Sequence, residues 1–273
     1  MELTDKIAVV TGGASGIGRA TCELMGQEGV RAIGVADIGD SVEAFCSNWN
    51  RENQRQVMVP FRGDVVDAPF RERVFREMES KFGPVSICVP AAGITRDKLS
   101  VKVHHKNGKS TVEIYPEDDF RRVLDIDLTA PIYWALRTVA SVALDRAKRS
   151  MGQWEPEERV QGCIVLVGSV SSAGNRGQIS YATAKAGLEG AQATLAAEAI
   201  YYGIRCAIIH PGFTDTPLVR SMGDEIIRTK VLPNTQLRRL IRPQEIAGAI
   251  LFMLSNSAVS GALWADAGWH PSA

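Results

Sequence analysis

The chain has 273 residues, is 45% hydrophobic, and carries 31 basic and 31 acidic side chains, for a formal net charge of zero. That length suits one large α/β domain with a full core, and the charge balance offers no electrostatic basis for binding nucleic acid or an anionic membrane. Five scattered cysteines (Cys22, Cys46, Cys88, Cys163, Cys206) form no Cys-x-x-Cys pair, so zinc and dithiol redox sites have no support.

No basic-then-apolar leader follows Met1 and no apolar run reaches about 18 residues, so the expectation is a soluble, cytoplasmic protein. Lys6 to Val10 is a short β-branched run that predicts a buried strand. Thr11-Gly12-Gly13-Ala14-Ser15-Gly16-Ile17-Gly18 follows at once, and Arg19 to Glu28 reads as a helix. A Gly-rich turn between strand and helix lets the backbone approach a pyrophosphate and aims helix N–H groups at it. Gly12, Ser15, Gly16, Ile17 and Gly18 are therefore candidate cofactor contacts. Val30 to Asp37 predicts the second strand. Asp37 lies 19 residues after Gly18, a distance at which an acid accepts hydrogen bonds from an adenosine ribose and repels a 2′-phosphate. Neither Ala14 nor Ile38 supplies a cation for such a phosphate, so NAD(H) is expected over NADP(H).

Ser41 to Asn53 predicts a helix and Val57 to Phe61 a strand, placed at a sheet edge because Pro60 cannot donate a ladder hydrogen bond. Asp64, followed by Val65, is a candidate contact to the adenine. Pro69 to Phe82 reads as a charged amphipathic helix and Val85 to Val89 as the next strand. The small residues Ala91, Ala92 and Gly93 after Pro90 would let a dinucleotide lie flat across the sheet edge. Leu99 to Tyr115 breaks the rhythm: two alternating runs flank Asn107-Gly108, which predicts a β-hairpin near 100–115. Its neighbours His104 and His105 would point to opposite faces, so no metal site is expected. Pro116 starts a helix with acids in its first turn, which carries Asp125-Ile126-Asp127-Leu128-Thr129; Arg146 to Val160 is polar and reads as a surface loop.

Cys163 to Val167 predicts a buried strand with Ser169 at its end, where open α/β sheets place ligands. An Ala-rich run beyond it favours helix and holds Tyr181 and Lys185 four residues apart, on one face. The ammonium beside the hydroxyl is expected to lower the phenol's proton affinity and make Tyr181 a proton donor and acceptor near neutral pH. Ile204 to Ile209 is a further strand, ending in His210-Pro211-Gly212-Phe213-Thr214-Asp215-Thr216. His210 has no evident triad partner. The mixed, polar stretch to Leu240 predicts a substrate flap near 217–240. Pro243 to Ser255 reads as a helix and Ala262 to Asp266 as a last strand. Strands alternating with helices throughout predict a single-domain α/β fold over 1–273, a Rossmann-type doubly wound parallel sheet with helices on both faces.

Taken together, the chain resembles the short-chain dehydrogenase/reductase family over nearly its whole length. The resemblance rests on Thr11-Gly-x-x-x-Gly16-x-Gly18, Ala91-Ala92-Gly93, Ser169, Tyr181-x-x-x-Lys185, Pro211-Gly212 and Asp266-Ala267-Gly268. Ala92-Gly93-Ile-Thr-Arg-Asp97 and Gly174-Asn175-x-Gly177-Gln178 look like the β-ketoacyl carrier-protein reductase branch and its NAD-linked hydroxyacyl relatives. The resemblance implies that Tyr181 is the general acid in reduction and base in oxidation, that Lys185 binds the nicotinamide ribose, and that Ser169 hydrogen-bonds the substrate oxygen, with Ser171 as the fallback. It also implies that Pro211, Gly212, Phe213, Thr214 and Thr216 frame the nicotinamide, and that the helices carrying Asp127 and Tyr181 pair between subunits of a homodimer or homotetramer.

Three departures stand out: the hairpin around Asn107-Gly108 and the loop around Trp154 look like insertions relative to the smallest members, the hairpin close enough to the substrate side to alter specificity, and two signature positions change. Asp127 replaces the family's Asn before the Ser strand, and Pro90 replaces the first Asn of Asn-Asn-Ala-Gly. The expected activity is NAD(H)-linked interconversion of a ketone and a secondary alcohol, led by a 3-oxoacyl/3-hydroxyacyl thioester on CoA or a carrier protein. A steroid, diol or sugar-like alcohol is the alternative substrate, and a low-turnover NAD(H)-binding sensor or scaffold the alternative class.

Overall fold

A computed structural model describes residues 1–269. Nine strands and nine helices follow in chain order among the described residues: β1 (Ile7–Thr11), α1 (Gly16–Gln27), β2 (Ala32–Asp37), α2 (Val42–Glu52), β3 (Met58–Arg62), α3 (Ala68–Phe82), β4 (Ile87–Pro90), β5 (Val101–Lys106), β6 (Lys109–Ile114), α4 (Glu117–Leu124), α5 (Ala130–Lys148), β7 (Gly162–Val167), α6 (Ile179–Ala199), β8 (Ile204–Pro211), α7 (Pro217–Arg220), α8 (Asp224–Ile226), α9 (Pro243–Ser255) and β9 (Gly261–Ala265). Seven strands form one parallel sheet in the order β3-β2-β1-β4-β7-β8-β9. The order reverses between β1 and β4. Crossovers lead away from that point on both sides and leave a crevice beyond the strands' carboxyl ends.

The apolar runs of the inner strands β2, β1, β4, β7 and β8 are buried on both faces, as parallel strands with helical crossovers require. Alternate residues of these strands feed two cores. Ala8, Val10, Ile33, Val35 and Val165 meet Met25 of α1, Trp49 of α2 and Ile250 of α9. Ile7, Val9, Cys88, Ile164 and Leu166 meet Phe75 of α3, Trp134 of α5 and Leu188 of α6. Local chemistry sets the helix ends. Asp67 caps α3 by accepting the Phe70 N–H at 3.3 Å, and Gly83 ends it at φ +108°. At the start of α9 Glu245 reaches back to accept the Arg242 backbone N–H at 2.8 Å, with Pro243 in the first turn. β3 lies at the sheet edge with Pro60 in its middle. Among the described residues no helix is long and apolar enough to cross a membrane.

All five cysteines are free and buried, and burial pushes their thiols up, Cys163 to about 11 and Cys46 and Cys88 to about 12. β5 and β6 pair as a separate antiparallel hairpin whose strand residues are all exposed. Its two histidines bond within it, His104 to Glu113 and His105 to Ser110, each at 2.9 Å. Residues 149–160 form the surface loop that their polarity suggests, and the departure is confined to the start of the stretch. Arg146 still belongs to α5 and its side chain is 1% exposed, because Glu158 takes both guanidinium nitrogens at 2.6 and 3.0 Å and the Gly152 carbonyl takes another bond at 2.9 Å. The residues after α5 fold over this buried cation.

Candidate active site

The crevice at the β1/β4 reversal opens into a cleft of about 510 Å³. Its floor is the Gly-rich turn. Gly12 sits at φ +62°, where a Cβ would come within 2.8 Å of the Ala92 backbone, and a Cβ on Gly18 would lie 2.2 Å from the Gly12 carbonyl. Only glycine lets turn, helix and neighbouring strand approach this closely. Ser15 precedes α1 but makes no side-chain cap, so the first-turn N–H groups of Gly16, Ile17 and Gly18, residues that line the cleft, have no partner in the Ser15 side chain. Asp37, at the tip of β2, ties this turn down: its carboxylate accepts the Ala14 N–H at 3.0 Å and the Gly39 N–H at 2.9 Å. Ile38, Asp64 and Val65 continue the same wall. Burial works to raise the Asp64 carboxyl, but bonds from Arg122 (2.9 Å) and the Val66 N–H (3.1 Å) hold it below its ordinary value.

The middle of the cleft follows β4. The N–H groups of Ala91 and Ala92 bond the Thr11 carbonyl and hydroxyl at 3.1 and 3.2 Å, which ties the segment after Pro90 to β1. Pro211, Gly212, Phe213, Thr214 and Thr216 form the wall after β8. Thr216 caps α7 at the Val219 N–H and packs against Gly16. Of the stretch 217–240, Pro217, Leu218, Val219 and Met222 line the cleft, whereas Ile227 and Val231 are buried in the body.

Ser169, Tyr181 and Lys185 meet at the far end. Ser169 stands just past β7, where its hydroxyl accepts the Ser171 N–H at 3.1 Å and works to lower the Tyr181 phenol's pKa. Its carbonyl is held by Ser172 Oγ at 2.8 Å and by His210 Nδ1 at 3.1 Å. His210 is fully buried and stacked on Trp264 at 4.2 Å, and burial lowers its proton affinity. Ser171 points elsewhere: its hydroxyl donates to Gln178 Oε1 at 2.8 Å, and Gln178 Nε2 donates to Asp97 at 2.9 Å.

Lys185 is buried, donates to the Val167 carbonyl at 3.0 Å, and lies 5.4 Å from the Tyr181 ring centre. Asp127 does not line the cleft but stands behind Lys185, with Oδ2 3.4 Å from Nζ and Oδ1 accepting the Ile94 N–H at 2.9 Å. A π-helical turn, Asp125–Thr129, joins α4 to α5 and turns Asp127 inward. Burial alone would discharge Lys185, and the Asp127 carboxylate overrides it, raising the ammonium's pKa. The expected lowering at Tyr181 is not found. Burial raises the phenol, Lys185 pulls it down, Asp127 pushes it up again, and the balance is above the ordinary value. The Tyr–Lys spacing conveys the cation but neither the desolvation nor the carboxylate behind it.

Cleft residues that sequence reasoning left unassigned are Ile94, Thr95, Arg96, Asp97, Arg122, Ile126 and Gln178. Arg96, Asp97 and Gln178 fall inside the two stretches quoted for the carrier-protein reductase branch, which was the available signal. Tyr115, at the base of the hairpin, donates to the Arg96 carbonyl at 2.7 Å and bonds Ser180 Oγ at 2.8 Å, joining the hairpin to the start of α6.

A family profile described as short chain dehydrogenase matches residues 6–226. The 3-oxoacyl-[acyl-carrier-protein] reductase FabG of Escherichia coli (strain K12) is 32% identical over 259 residues, covering 94% of this chain and 93% of its own. FabG of Vibrio harveyi matches at the same identity and coverage. The acetoacetyl-CoA reductase of Allochromatium vinosum is 28% identical over 256 residues, 93% of this chain and 92% of its own.

Proposed function

The chain belongs to the short-chain dehydrogenase/reductase family, oxidoreductases that act on CH–OH groups with a nicotinamide cofactor, and we propose that this member reduces a 3-oxoacyl thioester to the 3-hydroxyacyl thioester with NADH. The observation that carries this reading is the meeting of Ser169, Tyr181 and Lys185 at one end of a cleft whose other end is the glycine turn and Asp37. The residues fit a dinucleotide: the glycine turn closes to side chains but leaves backbone open, and Asp37 stands where an adenosine ribose would present its hydroxyls. Arg62, the cation next to Asp37 in the sheet register, is paired with Asp40, which favours NADH over NADPH.

A dihydronicotinamide held in this cleft would supply the hydride for the carbonyl carbon. Ser169 holds the substrate oxygen as negative charge develops on it. The Tyr181 O–H bond breaks as the alcohol O–H bond forms, and Lys185 holds the nicotinamide ribose beside the phenol. Ser169 is preferred over Ser171 for the oxygen because the Ser171 hydroxyl is committed to Gln178. The relatives, a 3-oxoacyl-[acyl-carrier-protein] reductase and an acetoacetyl-CoA reductase, support the substrate class. Exposed Tyr133, Leu136 and Leu144 on α5 support pairing of subunits through that helix, as a homodimer or homotetramer; a monomeric mass by light scattering would reject it.

The test is NADH oxidation with a short 3-oxoacyl thioester, wild type beside Tyr181→Phe, and NADPH in parallel. We expect turnover in wild type, a fall of ~10²–10⁴-fold in the variant, NADH binding retained in both, and weaker binding of NADPH. No turnover despite NADH binding rejects the thioester; tighter NADPH binding rejects the role of Asp37.

A further inference from the structure

Lys185 and Asp127 form a buried pair behind Tyr181, with side chains 5% and 0% exposed. The pair is incomplete as hydrogen bonding goes. Asp127 Oδ1 takes the Ile94 N–H, but Oδ2, which faces Lys185 at 3.4 Å, has no hydrogen-bond partner. Lys185 spends a short bond on the Val167 carbonyl instead. A Cβ on Gly93 would meet Asp127 Oδ2 at 2.8 Å, so the chain leaves room for this oxygen only because residue 93 is glycine. Burial raises the Asp127 carboxyl above its ordinary value against the opposing pull of Lys185 and the Ile94 N–H, and once ionised beside Lys185 the carboxylate keeps most of its field, with little water to screen it.

We propose that Asp127 is a fixed counter-ion to Lys185, so that Tyr181 faces a neutral pair instead of a lone cation and the site gives protons to carbonyls at neutral pH but takes them from alcohols only in alkali. Reduction needs the neutral phenol, whose O–H breaks as hydride reaches the carbonyl carbon. Oxidation needs the phenolate, which receives the alcohol proton as the O–H bond breaks, with the hydride acceptor being the oxidised nicotinamide that the cleft would hold. A lone ammonium beside the phenol would favour phenolate and the oxidative direction; the carboxylate behind the ammonium withdraws that bias.

The other groups around Tyr181 do not restore it. Asp97, from the segment after β4, adds a second negative charge, and the Ser169 hydroxyl, past β7, is an uncharged donor. His210 on β8 acts on Lys185 from the far side of Ser169 and is held toward its neutral form by burial, with Glu189 of α6 3.8 Å from its Nε2. Lys185 is thus the cation Tyr181 senses and Asp127 its nearest counter-charge.

The inference rests on Tyr181 being the proton carrier, but its test needs neither substrate nor cofactor and so can fail independently of the turnover assay. Protein labelled at tyrosine Cζ with carbon-13 is titrated by NMR from pH 7 to 11, and the Tyr181 signal is assigned by its loss in Tyr181→Phe. Asp127→Asn keeps the shape and the acceptor for Ile94. Its Tyr181 midpoint should fall by about one pH unit or more relative to wild type. An unchanged or higher midpoint overturns the proposal. The wild type provides a check that does not depend on the variant: a Tyr181 midpoint well below the ordinary phenol value of about 10 also overturns it.

Discussion

Two buried cations anchor the two ends of the same stretch of chain, and their surroundings differ. Arg146, at the end of α5, has a partner for each donor it turns inward: Glu158 binds it in a two-pronged pair and the Gly152 carbonyl fills in beside. Lys185, on α6, faces a carboxylate that is longer away and lacks a hydrogen bond on its near oxygen. Bidentate geometry satisfies charge and shape together and leaves little field for a third group. The looser pair stays electrostatically available to Tyr181. The contrast separates a clamp from a tuning device, although both are ion pairs by distance.

Removing one partner at a time should break the comparison most sharply at Lys185. Lys185→Met strands Asp127 as a lone buried charge, so unfolding in urea should show a loss of about 3 kcal/mol or more, and turnover should fall at least ~10²-fold. Adding Asp127→Asn to it should return most of the stability and none of the turnover. Recovery of both would mean that the pair serves folding alone.

A smaller effect is expected at the clamp. Glu158→Ala leaves Arg146 with the Gly152 carbonyl and should lower the thermal midpoint by a few degrees with turnover per folded molecule unchanged. The bond from Arg146 holds the Glu158 carboxyl below its ordinary value in the folded protein. Its contribution is therefore full above the unfolded carboxylate's pKa, ~4.5, and fades as pH falls through the lower folded value. The difference between wild type and Glu158→Ala should vanish in acid; a difference that grew in acid would assign the loss to packing.

Much of the scaffold is legible in the sequence because the signals are local. The run Cys163 to Val167 is apolar at every residue, as a strand covered on both faces must be, and Pro243 with Glu245 marks a helix start by the chemistry of its first turn. The Rossmann-type sheet follows from such runs alternating with amphipathic helices. The burial of Arg146 is not legible, because polarity ordinarily means solvent and its partner lies 12 residues on, across a loop with no regular period. The sign of the Tyr181 shift was out of reach for a related reason. Lys185 is four residues away along one helix, whereas Asp127 arrives from another helix through a π-helical turn that no periodicity announces. Local spacing reveals which charges can meet, but the third charge and the dryness of the setting are tertiary facts.

The five cysteines have a use that owes nothing to catalysis. They are spread over α1, α2, β4, β7 and β8, all buried, with thiols that burial holds in their unreactive form. An alkylating reagent can reach them only when the surrounding element opens, so the molecule is already fitted with internal stopwatches. Mass spectrometry of each labelled site would clock the lifetime of its own stretch, from the outer helices to the central strands, without one engineered residue.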